Sequence, residues 1–115
     1  MKADDFRSLA LSLPEVLEKS HMGHPDFRVG GKIFATLGPG EKWGMVKLTP
    51  EQQQEFIHDE PETFEAIKGG WGTRGATKVI LRQATKATVR QALVTAWRNR
   101  ASEDLSRQLD ERSRA

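Results

Sequence analysis

Asp26-Phe27-Arg28-Val29-Gly30-Gly31-Lys32-Ile33-Phe34-Ala35-Thr36-Leu37 decides the fold. Both central glycines can take a positive φ without steric cost, which is what a two-residue hairpin turn demands. The reading is a strand over Asp26–Val29 and a return strand over Lys32–Leu37. Toward the N-terminus, Gly23-His24-Pro25 reads as a turn and Val16–His21 as an earlier strand. Toward the C-terminus, Gly38-Pro39-Gly40-Glu41-Lys42 reads as another turn, followed by a strand over Trp43–Leu48. No crossover helix separates these segments, so they form an antiparallel meander.

Helices flank the meander. Residues 4–12 place Phe6, Leu9, Ala10 and Leu13 at near-helical spacing behind the acidic pair Asp4 and Asp5, and Pro14 closes the segment. Thr49-Pro50-Glu51-Gln52 is a capping box with proline at the first helical position, opening a helix that runs to about His58. Pro61 starts a further short turn or helix to Ile67, with Phe64 and Ile67 facing inward. Gly69-Gly70-Trp71-Gly72-Thr73-Arg74-Gly75 breaks all regularity. Thr77–Arg82 then alternates as a strand, and Thr85 or Thr88 caps a helix whose stripe is Val89, Ala92, Leu93, Ala96 and Trp97. The fold class is α+β.

The chain has 115 residues, 37% hydrophobic and 30% charged, with no cysteine. That suits one domain with one core, and it excludes thiol nucleophiles, disulfides and thiolate metal sites. No apolar run approaches the ~20 residues that cross a bilayer, and Met1–Phe6 does not read as a secretory leader, so a cytoplasmic location is expected. The net charge of +2 hides an asymmetry. Residues 1–67 hold 7 basic and 12 acidic side chains, residues 68–115 hold 11 and 4. Residues 66–102 contain no acid, but carry Lys68, Arg74, Lys78, Arg82, Lys86, Arg90, Arg98 and Arg100 beside Trp71 and Trp97. A one-sign stretch of this kind suggests a surface that meets an anion, nucleic acid first, although a solvated face balanced by acids elsewhere in the fold is the plainer reading.

Three runs carry a resemblance: Leu11-Ser12-Leu13-Pro14-Glu15-Val16, Gly23 through Ala35, and Gly70-Trp71-Gly72 before the last strand. With their order and spacing, over residues 4 to 100, the chain resembles the MmcQ/YjbR family of small bacterial proteins. The resemblance implies a frataxin-like (CyaY-like) α+β fold, an antiparallel sheet with helices packed on one face. It also implies that family's usual description as DNA-binding, with β-hairpins as candidate wings. It places the domain at residues 1–101 and leaves 102–115, with Leu105 and Leu109 among charges, as a charged C-terminal helix or fraying tail. No family catalytic motif comes with it, and fold is settled better than function.

Strand parity supplies the candidate site. With Ile33, Ala35 and Leu37 turned to the helices, Lys32, Phe34 and Thr36 point away; likewise Trp43, Met45 and Lys47, and Lys78, Ile80 and Arg82. The open face then combines Phe34 and Trp43 with Lys32, Lys47, Lys78 and Arg82, the mixture of stacking surfaces and cations that single-stranded nucleic acid uses. A two-residue hairpin loop, however, pairs Phe27 with Phe34 and puts Phe27, Val29 and Phe34 on one face, whereas a three-residue loop aligns Phe27 and Val29 with Ile33. Phe34 as plain core and Trp43 as a strand-end cap stay open. The glycine loop adds Trp71 as a stacking plane and Arg74 as a phosphate fork, against the alternative that Trp71 folds back over the core.

The expected partner is nucleic acid, DNA bound non-specifically, contacted through Lys32, Trp43, Lys47, Trp71, Arg74, Lys78 and Arg82. The alternative is a small-molecule or protein site beside Trp71 and Arg74. No helix-turn-helix signature supports sequence reading. His21, His24 and Asp26 straddle a turn without a fourth ligand, so neither metal nor cofactor is expected. No nucleophile elbow or clustered Ser/His/Asp constellation appears, which argues against an enzyme, and a monomer is the default.

Overall fold

In a computed structural model, residues 1–21 and 23–114 are described. The hairpin forms as β2 (His24–Val29) and β3 (Lys32–Leu37), with φ of 59° and 78° at Gly30 and Gly31. β1 (Leu17–His21), β4 (Trp43–Lys47), β5 (Phe64–Ala66) and β6 (Ala76–Ile80) complete one antiparallel sheet, ordered β1-β2-β3-β4-β6-β5. The α+β antiparallel expectation holds. Two strand readings change. Residues 64–66 form an edge strand, not a turn or helix, because Phe64 buries itself opposite Val79. β6 stops at Ile80, and Leu81–Gln83 turns away as a 3-10 helix with Leu81 buried.

The helices are α1 (Ala3–Leu11), α2 (Pro50–Asp59), α3 (Gly70–Thr73), α4 (Lys86–Arg100) and α5 (Glu103–Arg114). At α2 the capping box is complete: Gln52 N donates to Thr49 Oγ1 at 3.1 Å, and Thr49 N to Gln52 Oε1 at 2.9 Å. The stripe of α4 lies across β3 and β4, with Val89, Ala92, Leu93, Ala96 and Trp97 all 0% exposed. Burying each large side chain contributes about 1.5–3 kcal/mol. Trp97 keeps its polar handle satisfied, its Nε1 donating to Pro14 O at 3.1 Å. α1 packs beside α4, and Gly44 of β4 makes room for the Phe6 ring, which a Cβ there would meet at 2.6 Å. α5 leans on this layer through Leu109, an Arg98–Asp110 ion pair at 2.7 Å, and Arg112 donating to Ser12 O.

The parity question at the hairpin is resolved by an extra residue. Phe27 faces Ala35 while Arg28 faces Ile33, so β3 carries one more residue than β2, and that residue is Phe34. A bulge lets two consecutive side chains, Phe34 and Ala35, turn to the helices, both 0% exposed. Phe34 is therefore core. Ile33, expected inward, is displaced to the open face. Lys32 is opposite Val29, shares that residue's helix-side face, and leaves the open surface.

Candidate functional site

The helices cover one side of the sheet and leave the other open. Successive cross-strand partners run the full width of that open side: Lys19, Asp26, Thr36, Met45, Lys78 and Glu65. On β4 the alternation places Trp43 and Lys47 beside Met45 on the same face. Trp43 pairs with Ile80, and Lys47 with Ala76.

Met45 is the floor of a groove. Its lining is Ile33, Thr36, Trp43, Met45, Lys47, Ile67, Trp71 and Ala76, around a volume of about 320 Å³. Two tryptophans form the walls, and each is held differently. Trp43 is half-buried, its indole flat against Gly38, where a Cβ would come within 2.3 Å of the ring. Trp71 projects from α3 and remains 61% exposed. The glycine segment behind it is not irregular, as its composition suggests, but a closed turn. Thr73 N donates to Gly69 O at 3.2 Å, Arg74 N to Gly70 O at 3.1 Å, and Gly75 N to Gly72 O at 3.0 Å.

That turn is anchored from below. Gln53 of α2 is 4% exposed, and its amide nitrogen donates to Gly72 O at 3.0 Å, Ala76 O at 3.0 Å and Thr77 Oγ1 at 3.2 Å. Gly72 packs so closely on the backbone that a Cβ would stand 1.6 Å from Ile67 O. Ile67, read from sequence as core, is pulled to the groove side. A residue on a mobile loop can be as exposed as Trp71, but this one rests on satisfied buried polar groups.

A second depression of similar volume, about 320 Å³, continues past Trp43 over Ile33 and Thr36 to His24 and Asp26. There Arg28 grips the buried Asp26 carboxylate from Nε at 2.8 Å and Nη2 at 3.1 Å, a bidentate pair that neutralises this end. A larger cavity, about 530 Å³, lies elsewhere, between Met1, Lys2, Asp4, Glu41, Lys42 and Arg82. It mixes both charge signs and has no aromatic lining. Among the described residues no group of three His, Asp or Glu could hold a metal ion. The side chain of His21 lies outside the described residues.

The cations expected on the open face thus divide. Of them only Lys47 lines the groove, with Trp43 and Trp71, while Lys78 stands beside the Trp43 ring and Arg74 beside the Trp71 ring. Lys32 is on the other face at the hairpin tip, and Arg82 sits with the 3-10 turn beside the N-terminus. Lys78 Nζ stands 5.2 Å from the Trp43 ring centroid, and pairs with Glu65 at 3.4 Å. Lys47 Nζ and Arg74 Cζ each stand 5.3 Å from the Trp71 ring centroid. Among the described residues no carboxylate comes within ion-pair distance of Lys47, Arg74 or Arg100. Burial, with repulsion from Arg100, pushes the Lys47 ammonium below the ordinary lysine value. Sequence reasoning found Met45 and Trp43 by parity, and Trp71 from the glycine-rich loop. It missed Gln53, whose signal is a polar residue on the inner face of an amphipathic helix, and Ile33, which only the bulge reveals.

The comparisons bear on family and fold. The YjbR family model matches residues 11–99. The crystal structure of Deinococcus radiodurans protein DR2400, with its DUF419 domain, is similar at a TM-score of 0.69 and 19% identity, covering 84% of this chain and 75% of that one. At that identity the likeness is one of fold. No curated protein matches the chain. With 89 consecutive residues of 115 inside the family's pattern, the chain belongs to the YjbR family.

Proposed function

We propose that this is a non-enzymatic binding protein whose open sheet face takes a small ligand with a flat apolar body and one anionic group, in the groove between Trp43 and Trp71. The observation that carries this reading is the half-buried Lys47, without a carboxylate partner among the described residues, in an apolar, tryptophan-walled groove. An ammonium held in such surroundings without a carboxylate costs stability, and an anionic ligand removes that cost. The volume, near the lower end of the ~300–1,000 Å³ usual for ligand pockets, suits one ring system.

The test is a titration with 8-anilinonaphthalene-1-sulfonate, an aromatic anion whose fluorescence rises on desolvation. One saturable site is expected, with affinity falling at least about fivefold in Trp71→Ala, as the loss of a stacked aromatic contact worth ~1–3 kcal/mol implies. Unchanged affinity in that variant would remove the groove as the site.

A second reading is favoured by the 61% exposure of Trp71 between two cations: one base of a single-stranded nucleic acid stacks there while Lys47 and Arg74 meet phosphates. It predicts that binding of a thymidine oligonucleotide falls with salt at a log–log slope of about −1.4, two contacts at ~−0.7 each. A flat salt response with intact dye binding leaves the small-ligand reading alone.

A further inference from the structure

Two lysines of the open face are half-buried, and they differ in what surrounds them. Lys78 has Glu65 as an ion-pair partner at 3.4 Å. Lys47 has no acid beside it among the described residues. The charged groups turned toward it are Arg100 at the end of α4 and Arg74, which shares the Trp71 ring, while its cross-strand neighbour is Ala76. Its amine stands in the groove, against the wall formed by Trp71. A lysine desolvated by apolar walls and faced by other cations loses its proton more readily than a solvated one, and the free amine is a nucleophile.

We propose that Lys47 is a nucleophilic amine that forms an imine with a small carbonyl compound bearing an acidic group, held between Trp43 and Trp71. The inference rests on the groove being a ligand site, and it names the ligand's class. The lone pair of Lys47 Nζ attacks the carbonyl carbon and the carbonyl π electrons move to oxygen. The nitrogen gives up its two protons in turn, the oxygen gains two and leaves as water, and a C=N bond replaces the C=O bond. No oxidant or reductant is consumed, and hydrolysis reverses the step. Arg74 is the partner for the ligand's carboxylate, and Met45 underlies its body.

The experiment treats the full chain with 4-formylbenzoate and sodium cyanoborohydride at neutral pH, followed by intact-mass and peptide-mapping mass spectrometry. The expected result is one dominant adduct on Lys47, formed at least about tenfold faster than on Lys78 and reaching its rate plateau at a lower pH than the exposed lysines. It is absent from a folded Lys47→Arg variant and slowed when 8-anilinonaphthalene-1-sulfonate occupies the groove. Adducts spread over the exposed lysines, with Lys47 no faster than Lys78, overturn the proposal. If the dye still binds at a Trp71-dependent site in that case, the groove stands and only the covalent step falls; if it does not, both fall.

Discussion

Trp43 and Trp71 each carry a lysine near the ring, at 5.2 Å and 5.3 Å, and beyond that their surroundings diverge. Lys78 at Trp43 is matched by Glu65, and the Asp26–Arg28 pair lies along the same end of the face. Lys47 at Trp71 has no matching carboxylate among the described residues, and Arg74 and Arg100 add to the positive charge around it. Trp43 is packed on Gly38 and serves the sheet, whereas Trp71 is mostly exposed on a turn that Gln53 ties to α2 and β6 through buried hydrogen bonds to Gly72 O, Ala76 O and Thr77 Oγ1. The difference teaches where partner binding belongs. An end whose charges and hydrogen bonds are satisfied internally gains little from a ligand, while an end left with surplus charge on a rigid frame gains most.

The largest expected effect breaks the frame. Gly72→Ala puts a Cβ 1.6 Å from the Ile67 carbonyl oxygen, a backbone atom that cannot step aside, and the expected cost is about 3 kcal/mol or more by chemical denaturation. The matching change at the other wall, Gly38→Ala, meets the Trp43 side chain and displaces the indole, for about 1–3 kcal/mol. Next comes Gln53→Leu, which removes a buried donor shared by Gly72 O, Ala76 O and Thr77 Oγ1 and leaves the two carbonyls only their bonds from Gly75 N and Ile67 N. It is expected to cost about 1–3 kcal/mol, and hydrogen exchange should show the Trp71 turn opening before the sheet does.

Trp71→Ala sharpens the comparison by separating binding from stability. With the ring 61% exposed, the change should move stability by no more than about 0.5 kcal/mol, whereas Trp43→Ala, half-buried, should cost about 2 kcal/mol. Equal costs would mean that the two walls are not different in kind. The smallest effect is the most diagnostic in sign. Lys47→Met should raise the thermal midpoint slightly at neutral pH, and Lys78→Met should lower it slightly, each within about 0.5 kcal/mol. The folded chain holds the Lys47 pKa below its unfolded value, so the folded state binds its proton less well. Stability therefore rises as pH climbs from the lowered folded pKa to the unfolded one, and that alkaline gain should disappear in Lys47→Met.

Much of this was legible beforehand. Gly30-Gly31 marks the hairpin, the capping box marks α2, and the alternation of Trp43-Gly44-Met45-Val46-Lys47 gives its face correctly because β4 is regular. The errors share a cause. Alternation counts residues and is blind to an inserted one, so the bulge at Phe34 reversed Ile33 and Lys32 relative to the regular strand. Likewise Arg82 was assigned by continuing a strand that ends at Ile80, where Leu81 turns into the core. The edge strand Phe64–Ala66 is three residues long, too short for any period to show. The eight cations of residues 66–102 suggest one surface only because sequence carries sign without position. Folding scatters them, and it leaves Lys47, which precedes the acid-free stretch, lining the groove.

The central claim is that an unpaired Lys47 selects an anion in the groove between Trp43 and Trp71. Isothermal titration of 2-naphthoate and its neutral isostere 2-naphthamide into wild type and Lys47→Met tests it most directly. The account predicts that wild type prefers the carboxylate by at least about fivefold, the worth of one charge-assisted contact of ~1 kcal/mol, and that the preference vanishes in Lys47→Met while 2-naphthamide binding is retained. Equal affinity for both compounds in wild type, or a carboxylate preference that survives the loss of Lys47, would contradict it.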